Sequence, residues 1–311
     1  MANRKLSLKN KKVLNALALT LLLSSGTFYS QAQNQTLFQS KELTPVNSFT
    51  RGAEGPAVDA KGTVYAVNYG KEGTIGQVTI DGKAGLFIEL PAGSVGNGIR
   101  FDSKGNMLIA DYTRHNVLKV DMLTKDISVF AHNPEMSQPN DIAIDSKDRL
   151  YASDPNWKAG TGRIWRIDLD GKSTLLETMG TTNGIEVSPD NKYLYVNESV
   201  QRKVWKYDLN AKGEISNKRL IHEFPDFGMD GMRCDAKGNL YITRHGKGAI
   251  AILSPEGKLL REVPTIGKLP SNIAFGGADG RTVYITLQDK GNMESFRVAT
   301  PGREWKMLKG K

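Results

Sequence analysis

Six segments of the chain repeat one arrangement of apolar and polar residues. Each has a polar residue, a short apolar–polar alternation, a turn rich in Asp, Lys, Gly and Asn, and a second β-rich run. The segments are AEGPAVDAKGTVYAVNYG from residue 53, GNGIRFDSKGNMLIADYT from 96, PNDIAIDSKDRLYASDPN from 139, TNGIEVSPDNKYLYVNES from 182, MDGMRCDAKGNLYITRHG from 229 and SNIAFGGADGRTVYITLQ from 271. Alternation with a period of two is typical of half-buried strands, so each segment predicts at least two strands.

The spacing of the segments predicts the architecture. Their leading polar residues follow one another at intervals of 43, 43, 43, 47 and 42 residues, and they are Glu54, Asn97, Asn140, Asn183, Asp230 and Asn272. The second unit divides into four predicted strands, over residues 98–102, 107–112, 117–121 and 127–131. Four short antiparallel strands in about 40–45 residues are typical of a propeller blade. We therefore predict an all-β, six-bladed β-propeller with four antiparallel strands per blade.

The ends of the chain carry two further predictions. No helical periodicity of useful length follows residue 32, so residues 33–311 are expected to form the propeller as a single domain. Residues 33–50 precede the first blade, and NMESFRVATPGREWKMLKGK ends the chain. One of these two ends should close the ring by adding an outer strand, and the sequence leaves open which one.

The first 32 residues have the three-part plan of a secretory signal peptide. Five cations precede an apolar run from Val13 to Leu23, and small and polar residues then lead to Ala32. A membrane anchor would need about 20 apolar residues, and this run is shorter. We expect cleavage after Ala32 and a periplasmic or secreted protein that no longer associates with the membrane.

Removal of that segment changes the charge of the protein. Residues 1–32 contain five cations and no carboxylate, so the net charge falls from +9 to +4. A nearly balanced surface gives little reason to expect a nucleic-acid partner. The single cysteine, Cys234, excludes an intramolecular disulfide. We expect a monomer whose partner is a small molecule.

The repeated polar residues form the candidate chemistry. In a propeller the first strand of each blade lines the central channel, so residues that begin those strands should meet as a ring at one mouth. Two carboxylates and four amides offer oxygen ligands, which favour Ca²⁺, Mg²⁺ or Mn²⁺ over zinc or copper. Asn and Asp also recur in turns for conformational reasons, which leaves a purely structural interpretation open. A Glu at the first position, Glu54, is harder to explain as a turn residue.

The mature sequence resembles the SMP-30/gluconolactonase/lactonase-like group of six-bladed propellers. The resemblance is carried by EGPAVDAKG, QPNDIAIDSKDRLYASDP, TNGIEVSPDNKYLYVNES and DGMRCDAKGNLYIT. It implies a divalent cation, with Ca²⁺ expected first and Zn²⁺ or Mn²⁺ as alternatives. The implied ligands are Glu54, Asn183 and Asp230, with Asn140 binding directly or through water. Asn97 and Asn272 share the repeat position without being core family ligands, and we place them with the substrate-binding or structural residues.

The same resemblance implies a hydrolase of esters, usually sugar lactones, with some relatives acting on organophosphates. A cation would polarise the lactone carbonyl while a water attacks, and Asp230, or alternatively Glu54, would accept the proton of that water. The segment SDPNW makes Asp154 and Trp157 the expected substrate-binding residues. Some sugar lactonases of the group have an arginine where this chain has Gln138, which puts gluconolactone itself in doubt.

Two alternatives remain open from the sequence. A propeller can hold a calcium ion purely for structure and bind a ligand without turnover. A phosphotriesterase or another esterase could also use the same cation, and only the lining of the pocket would differ. His245, in YITRHG, could border the channel or be an ordinary residue at a strand end.

Overall fold

The computed structural model describes residues 36–309, and these form a nearly all-β, six-bladed β-propeller. The predicted signal peptide, residues 1–32, lies outside the described residues. Within residues 36–309, none of the helical structure is long and apolar enough to cross a membrane.

A short strand, β1 (Lys41–Glu42), precedes the blades. The first three blades are four-stranded antiparallel sheets whose strands are consecutive in the chain. They comprise β2 (Phe49–Val58), β3 (Val64–Tyr69), β4 (Thr74–Val78) and β5 (Ala84–Glu89); β6 (Gly96–Phe101), β7 (Met107–Asp111), β8 (Asn116–Val120) and β9 (Ile127–His132); and β10 (Ile142–Ile144), β11 (Leu150–Asn156), β12 (Thr161–Ile167) and β13 (Ser173–Gly180). The four strands predicted for the second blade match β6 to β9 to within two residues at each end.

The last three blades repeat this plan, with one difference in the sixth. They comprise β14 (Thr182–Val187), β15 (Tyr193–Glu198), β16 (Lys203–Leu209) and β17 (Ile215–Glu223); β18 (Met232–Cys234), β19 (Leu240–Arg244), β20 (Ala249–Leu253) and β21 (Leu259–Pro264); and β22 (Pro270–Gly276), β23 (Thr282–Leu287) and β24 (Asn292–Arg297). The sixth sheet takes its fourth strand from the N-terminal side, where β1 pairs antiparallel with β24. The ring is therefore closed by the N-terminal segment, which covers an edge that would otherwise be unpaired.

The hydrophobic core lies between the blades. Six clusters of buried apolar side chains each join two neighbouring blades, and the sixth cluster joins the last blade to the first. Between the first two blades, for example, Val67 and Ile75 pack with Ile99 and Ile109, and all four are fully buried. Burial of each such aliphatic side chain contributes about 1.5–3 kcal/mol. Successive side chains of a strand point to opposite faces, so a run of apolar residues such as Val64 to Val67 places apolar side chains on both faces of the blade.

Charged side chains fill the central channel. Arg233 Nη1 lies 3.0 Å from Asp141 Oδ2, and Arg100 Nη1 lies 3.5 Å from Asp141 Oδ1. These residues come from the fifth, third and second blades, so their side chains meet near the axis of the ring. All three are buried, and pairing offsets the cost of removing such charges from water.

A short helix, α1 (Arg303–Lys309), follows the sixth blade and was not predicted from the sequence. Glu304 Oε1 lies 2.5 Å from Arg100 Nε. Arg303 donates to the Ile144 carbonyl at 2.9 Å and lies 3.3 Å from a carboxylate oxygen of Glu186. A seven-residue helix has little stability alone, and these contacts with the channel stabilise it.

Candidate functional site

Five of the six repeated polar residues line one cavity. The cavity has a volume of about 390 Å³ and is open to solvent, and its lining includes Glu54, Asn97, Asn140, Asn183 and Asp230. The predicted metal-ligand set therefore converges at one mouth of the channel. A volume in this range suits a small organic molecule.

Asn272 does not occupy the repeat position that was predicted for it. In blades two to five, the polar residue stands two positions before a paired apolar residue, namely Ile99, Ile142, Ile185 or Met232. In the sixth blade that paired residue is Ile273, so the equivalent position is Ser271. The alignment of Asn272 was off by one residue, and Asn272 is buried outside the cavity lining. Its amide is close enough to Glu54 to lower the pKa of that carboxyl by a side-chain hydrogen bond.

The glycine that follows several of these residues connects neighbouring blades. Gly98 N donates to the Asn140 carbonyl at 2.9 Å, and Gly184 N donates to the Asp230 carbonyl at 3.0 Å. A Cβ at Gly184 would lie 2.6 Å from the Asp230 carbonyl oxygen, so a side chain there would force the two strands apart. Asn197 supports the same carbonyl, since its Nδ2 donates to Asp230 O at 2.8 Å. In each recurring Asn-Gly pair, the Asn is a ligand candidate, and the Gly fixes the backbone of the ligand candidate in a neighbouring blade.

Glu54, which is buried, and Asp230, which is partly exposed to the cavity, form an acidic pair. Burial raises the pKa of Glu54 well above its ordinary value, and the charges of Asp230 and Asp141 raise it further. The backbone N–H of Gly55 donates to Glu54 Oε2 at 2.7 Å and opposes that rise. Burial, with a contribution from Asp141, raises the pKa of Asp230 to about 7, although a side-chain hydrogen bond from Asn183 opposes the shift. Two carboxylates with raised proton affinity in one place favour a bound positive charge.

Amide oxygens beside this pair lack partners. The Oδ1 atoms of Asn97 and Asn183 are buried and accept no hydrogen bond from any described residue. A buried carbonyl without a partner costs about 1–3 kcal/mol, which a cation ligated by that oxygen would remove. In residues 36–309, no three His, Cys, Asp or Glu side chains are grouped as metal ligands, so any cation here would depend on amides as well as carboxylates. The donor set fits a hard divalent cation.

One wall of the cavity is aromatic. Trp157, which the sequence predicts as a substrate contact, lines it with 41% of its surface exposed, and Tyr112 lies beside it. Burial raises the pKa of the Tyr112 hydroxyl, while side-chain hydrogen bonds involving Trp157 and Gln138 oppose the rise. Gln138 thus lies next to Tyr112.

Asp154, the other predicted substrate residue, does not line the cavity. It is fully buried, and its carboxylate accepts hydrogen bonds from the backbone N–H groups of Ser137 at 2.7 Å and Gln138 at 2.6 Å. Trp165 Nε1 donates to it at 3.0 Å, and Arg163 Nη2 lies 3.0 Å away. With every oxygen engaged, Asp154 orders the loop that ends in Asn140 and is not placed to contact a bound molecule.

Sequence reasoning did not single out several residues at the site. Glu72 and Gln288 line the cavity, and His245, whose role was left open, does so as well. His245 Nε2 lies 3.2 Å from Gln288 Oε1, which joins the fifth and sixth blades at the rim. The charge of Asp141 raises the pKa values of both Glu54 and Asp230. Glu72 and Gln288 follow second strands that end at this mouth, which is the one signal that could have identified them.

Comparison with known proteins agrees with this architecture. The chain is 26% identical over 313 residues to a gluconolactonase of Zymomonas mobilis, a match that covers 89% of this chain and 86% of that protein. It is 25% identical over 308 residues to the diisopropyl-fluorophosphatase of Loligo vulgaris, covering 84% and 94% of the two chains. The crystal structure of a calcium-binding regucalcin from Agrobacterium tumefaciens superposes with a TM-score of 0.72 at 22% identity, over 84% of this chain and 97% of that one.

The family assignment rests on a match over most of the chain. Residues 31–289 match the sequence profile described as the SMP-30/Gluconolactonase/LRE-like region. That span contains the first five blades, two strands of the sixth and every residue of the cavity lining named above. The chain therefore belongs to the SMP-30/gluconolactonase/LRE-like family.

Proposed function

We propose that this protein is an exported, metal-dependent hydrolase that opens sugar lactones or related lactones. One observation carries the proposal: buried Glu54 and partly exposed Asp230 line an open cavity together with unpartnered amide oxygens. The relative from Zymomonas mobilis, named a gluconolactonase, supports lactone opening as the reaction.

A divalent cation would be held by Glu54, Asn183 and Asp230, with Asn140 as a direct or water-mediated ligand. We expect Ca²⁺, with Mn²⁺ or Zn²⁺ as alternatives. Bound there, the cation would polarise the acyl carbonyl and stabilise the negative charge that develops on its oxygen.

Asp230 is the better placed of the two carboxylates to accept a proton. It is partly exposed to the cavity, whereas Glu54 is 5% exposed and holds the Gly55 N–H with one oxygen. Asp230 can therefore reach a water that enters beside the substrate and take its proton as the water attacks. The hydrogen bond from Gly55 fixes the Glu54 carboxylate, which suits a metal ligand more than a general base.

The walls would bind and orient the substrate. The indole of Trp157 offers an apolar face to a sugar ring, and the hydroxyl of Tyr112 can donate to a ring or hydroxyl oxygen. His245 and Gln288 add polar groups on the wall formed by the fifth and sixth blades. Such a mixture of aromatic and neutral polar groups suits a small polyhydroxylated molecule.

The open cavity favours an enzyme over a propeller with a purely structural cation, because a structural site is normally closed by protein ligands. The test is acid release from a panel of aldonolactones and γ-lactones by the protein lacking residues 1–32. Activity is measured as purified, after EDTA treatment, and after addition of Ca²⁺, Mn²⁺ or Zn²⁺. We expect turnover that EDTA abolishes and one cation restores.

Two variants sharpen this test, because both change an aspartate to asparagine. Asp230→Asn should abolish turnover, while Asp170→Asn, in an exposed turn, should leave it intact. A folded protein that binds the cation and opens no lactone would contradict the proposal and favour a ligand-binding propeller. Hydrolysis of a fluorophosphate ester without lactone turnover would instead favour an activity like that of the Loligo vulgaris relative.

A further inference from the structure

We propose that the cavity selects uncharged lactones over anionic ones, and that Glu72 is the residue that sets this preference. The inference rests on the proposed lactonase activity and names its substrate class.

The charges of the cavity are all of one sign. Its charged lining residues are Glu54, Glu72 and Asp230. None of the Lys and Arg side chains within residues 36–309 lines the cavity. A divalent cation on the floor would balance Glu54 and Asp230. The exposed carboxylate of Glu72 would then remain as the net charge of the walls.

The cation next to Glu72 in the chain is engaged elsewhere. Lys71 Nζ lies 2.8 Å from Glu89 Oε1, on the strand that forms the outer edge of the first blade. Glu72 itself makes no hydrogen bond or ion pair with any residue that the structure describes. Its charge is therefore free to act on the contents of the cavity.

The cations on the wall formed by the fifth blade are also neutralised. Arg244 and Lys247 flank the cavity residue His245 in the chain. Arg244 Nη2 lies 2.7 Å from Asp226 Oδ1, and Lys247 Nζ lies 2.9 Å from Glu262 Oε2. A substrate carrying a carboxylate or a phosphate would enter next to Glu72 without a cationic side chain in the lining to balance it.

The same charge should assist product release. When water opens a lactone, a bond forms from the water oxygen to the acyl carbon, the ring C–O bond breaks, and the ring oxygen takes a proton to become a hydroxyl. The new carboxylic acid then loses its proton. The product is thus an anion made from a neutral substrate, and a negatively charged wall disfavours its retention.

The experiment compares a neutral aldonolactone with an aldarolactone of the same ring size that carries a free carboxylate. The ratio of their kcat/KM values is measured for the metal-loaded wild type, Glu72→Gln and Glu72→Lys, at low and high ionic strength. Because Glu72 is exposed to solvent, an effective dielectric constant of about 40–80 applies, and at that value two charges about 7 Å apart change a rate about three- to tenfold. We expect the wild type to prefer the neutral lactone, Glu72→Gln to lose about three- to tenfold of that preference, and Glu72→Lys to lose more.

A matched control separates local charge from net charge. Glu256→Lys changes the protein by the same two charges in an exposed turn outside the cavity, and it should leave the ratio unchanged. Salt should weaken the wild-type preference, because screening acts on exposed charges. An equal ratio in the wild type and both Glu72 variants would overturn the inference and leave the lactonase activity standing. No turnover of either lactone by the wild type would overturn the proposed function, and this inference with it.

Discussion

Replacing Asp230 by Asn should stabilise the cation-free protein at alkaline pH while abolishing its response to calcium. Folding raises the pKa of Asp230 from an ordinary value of 3.8 to about 7, chiefly by burial. An acid whose pKa is raised by folding costs nothing below its unfolded pKa, where both states are protonated. The cost grows as the pH rises from 3.8 and is complete above pH 7, where both states are ionised.

The size of this cost follows from the shift. A tenfold change in proton affinity corresponds to about 1.4 kcal/mol, so a rise of roughly three pH units amounts to about 4 kcal/mol. This is an upper limit, since Asp230 is partly exposed to the cavity. Asparagine has the same shape and no charge, so the variant avoids the cost and also relieves the repulsion on Glu54.

The assay is urea unfolding, followed by tryptophan fluorescence, in EDTA at pH 8 and at pH 4. At pH 8 the variant should have the larger free energy of unfolding, by up to about 4 kcal/mol, and at pH 4 the difference should nearly vanish. Calcium at 100 times its dissociation constant should stabilise the wild type by about 2.7 kcal/mol and leave the variant unchanged. A variant that is less stable than the wild type at pH 8 without calcium would refute the reasoning, and Asp170→Asn is the control for the substitution itself.

Three further changes test the structure around the site. Arg303→Ala should lower the free energy of unfolding by up to about 3–5 kcal/mol in denaturant titrations, because buried Glu186 loses its nearer cationic partner, at 3.3 Å, and keeps only Arg100 at 3.8 Å; a loss below 1 kcal/mol would contradict that role. Gly231→Ala should weaken calcium binding measured by calorimetry, because its Cβ would lie 2.0 Å from Asn272 Cγ; unchanged affinity would mean that Asn272 moves aside freely. Trp157→Ala should raise the KM for a sugar lactone about two- to tenfold through loss of aromatic contact, and an unchanged KM would place the substrate elsewhere.

The organisation into blades was predictable because it is encoded locally. Each blade places apolar-rich patterns within strands of at most ten residues and separates them with turn-forming residues, so its strands can be recognised without knowing what packs against them. The convergence of Glu54, Asn97, Asn140, Asn183 and Asp230 followed from the same regularity, since equivalent residues of a closed ring must lie on one circle.

Other features depended on residues that are distant in the chain. The pairing of β1 with β24 closes the ring, and sequence pattern alone could not say which end would do so. The one-residue offset of Asn272 arises from the register between β22 and β23. Asp154 has the residue type of a sugar contact, but two groups of its own blade and two of the preceding loop engage its carboxylate.

By itself the sequence determined a six-bladed all-β ring and the oxygen-rich set of residues at one mouth of its channel, because both depend on short patterns that repeat at a regular interval. Only the tertiary structure decided the charge environment of that mouth. The raised pKa of Asp230, the effect of Asp141 on it, and the unbalanced carboxylate of Glu72 depend on burial and on distances between blades. Electrostatic interactions are set by separation and by access of water, which neighbouring letters of a sequence do not record.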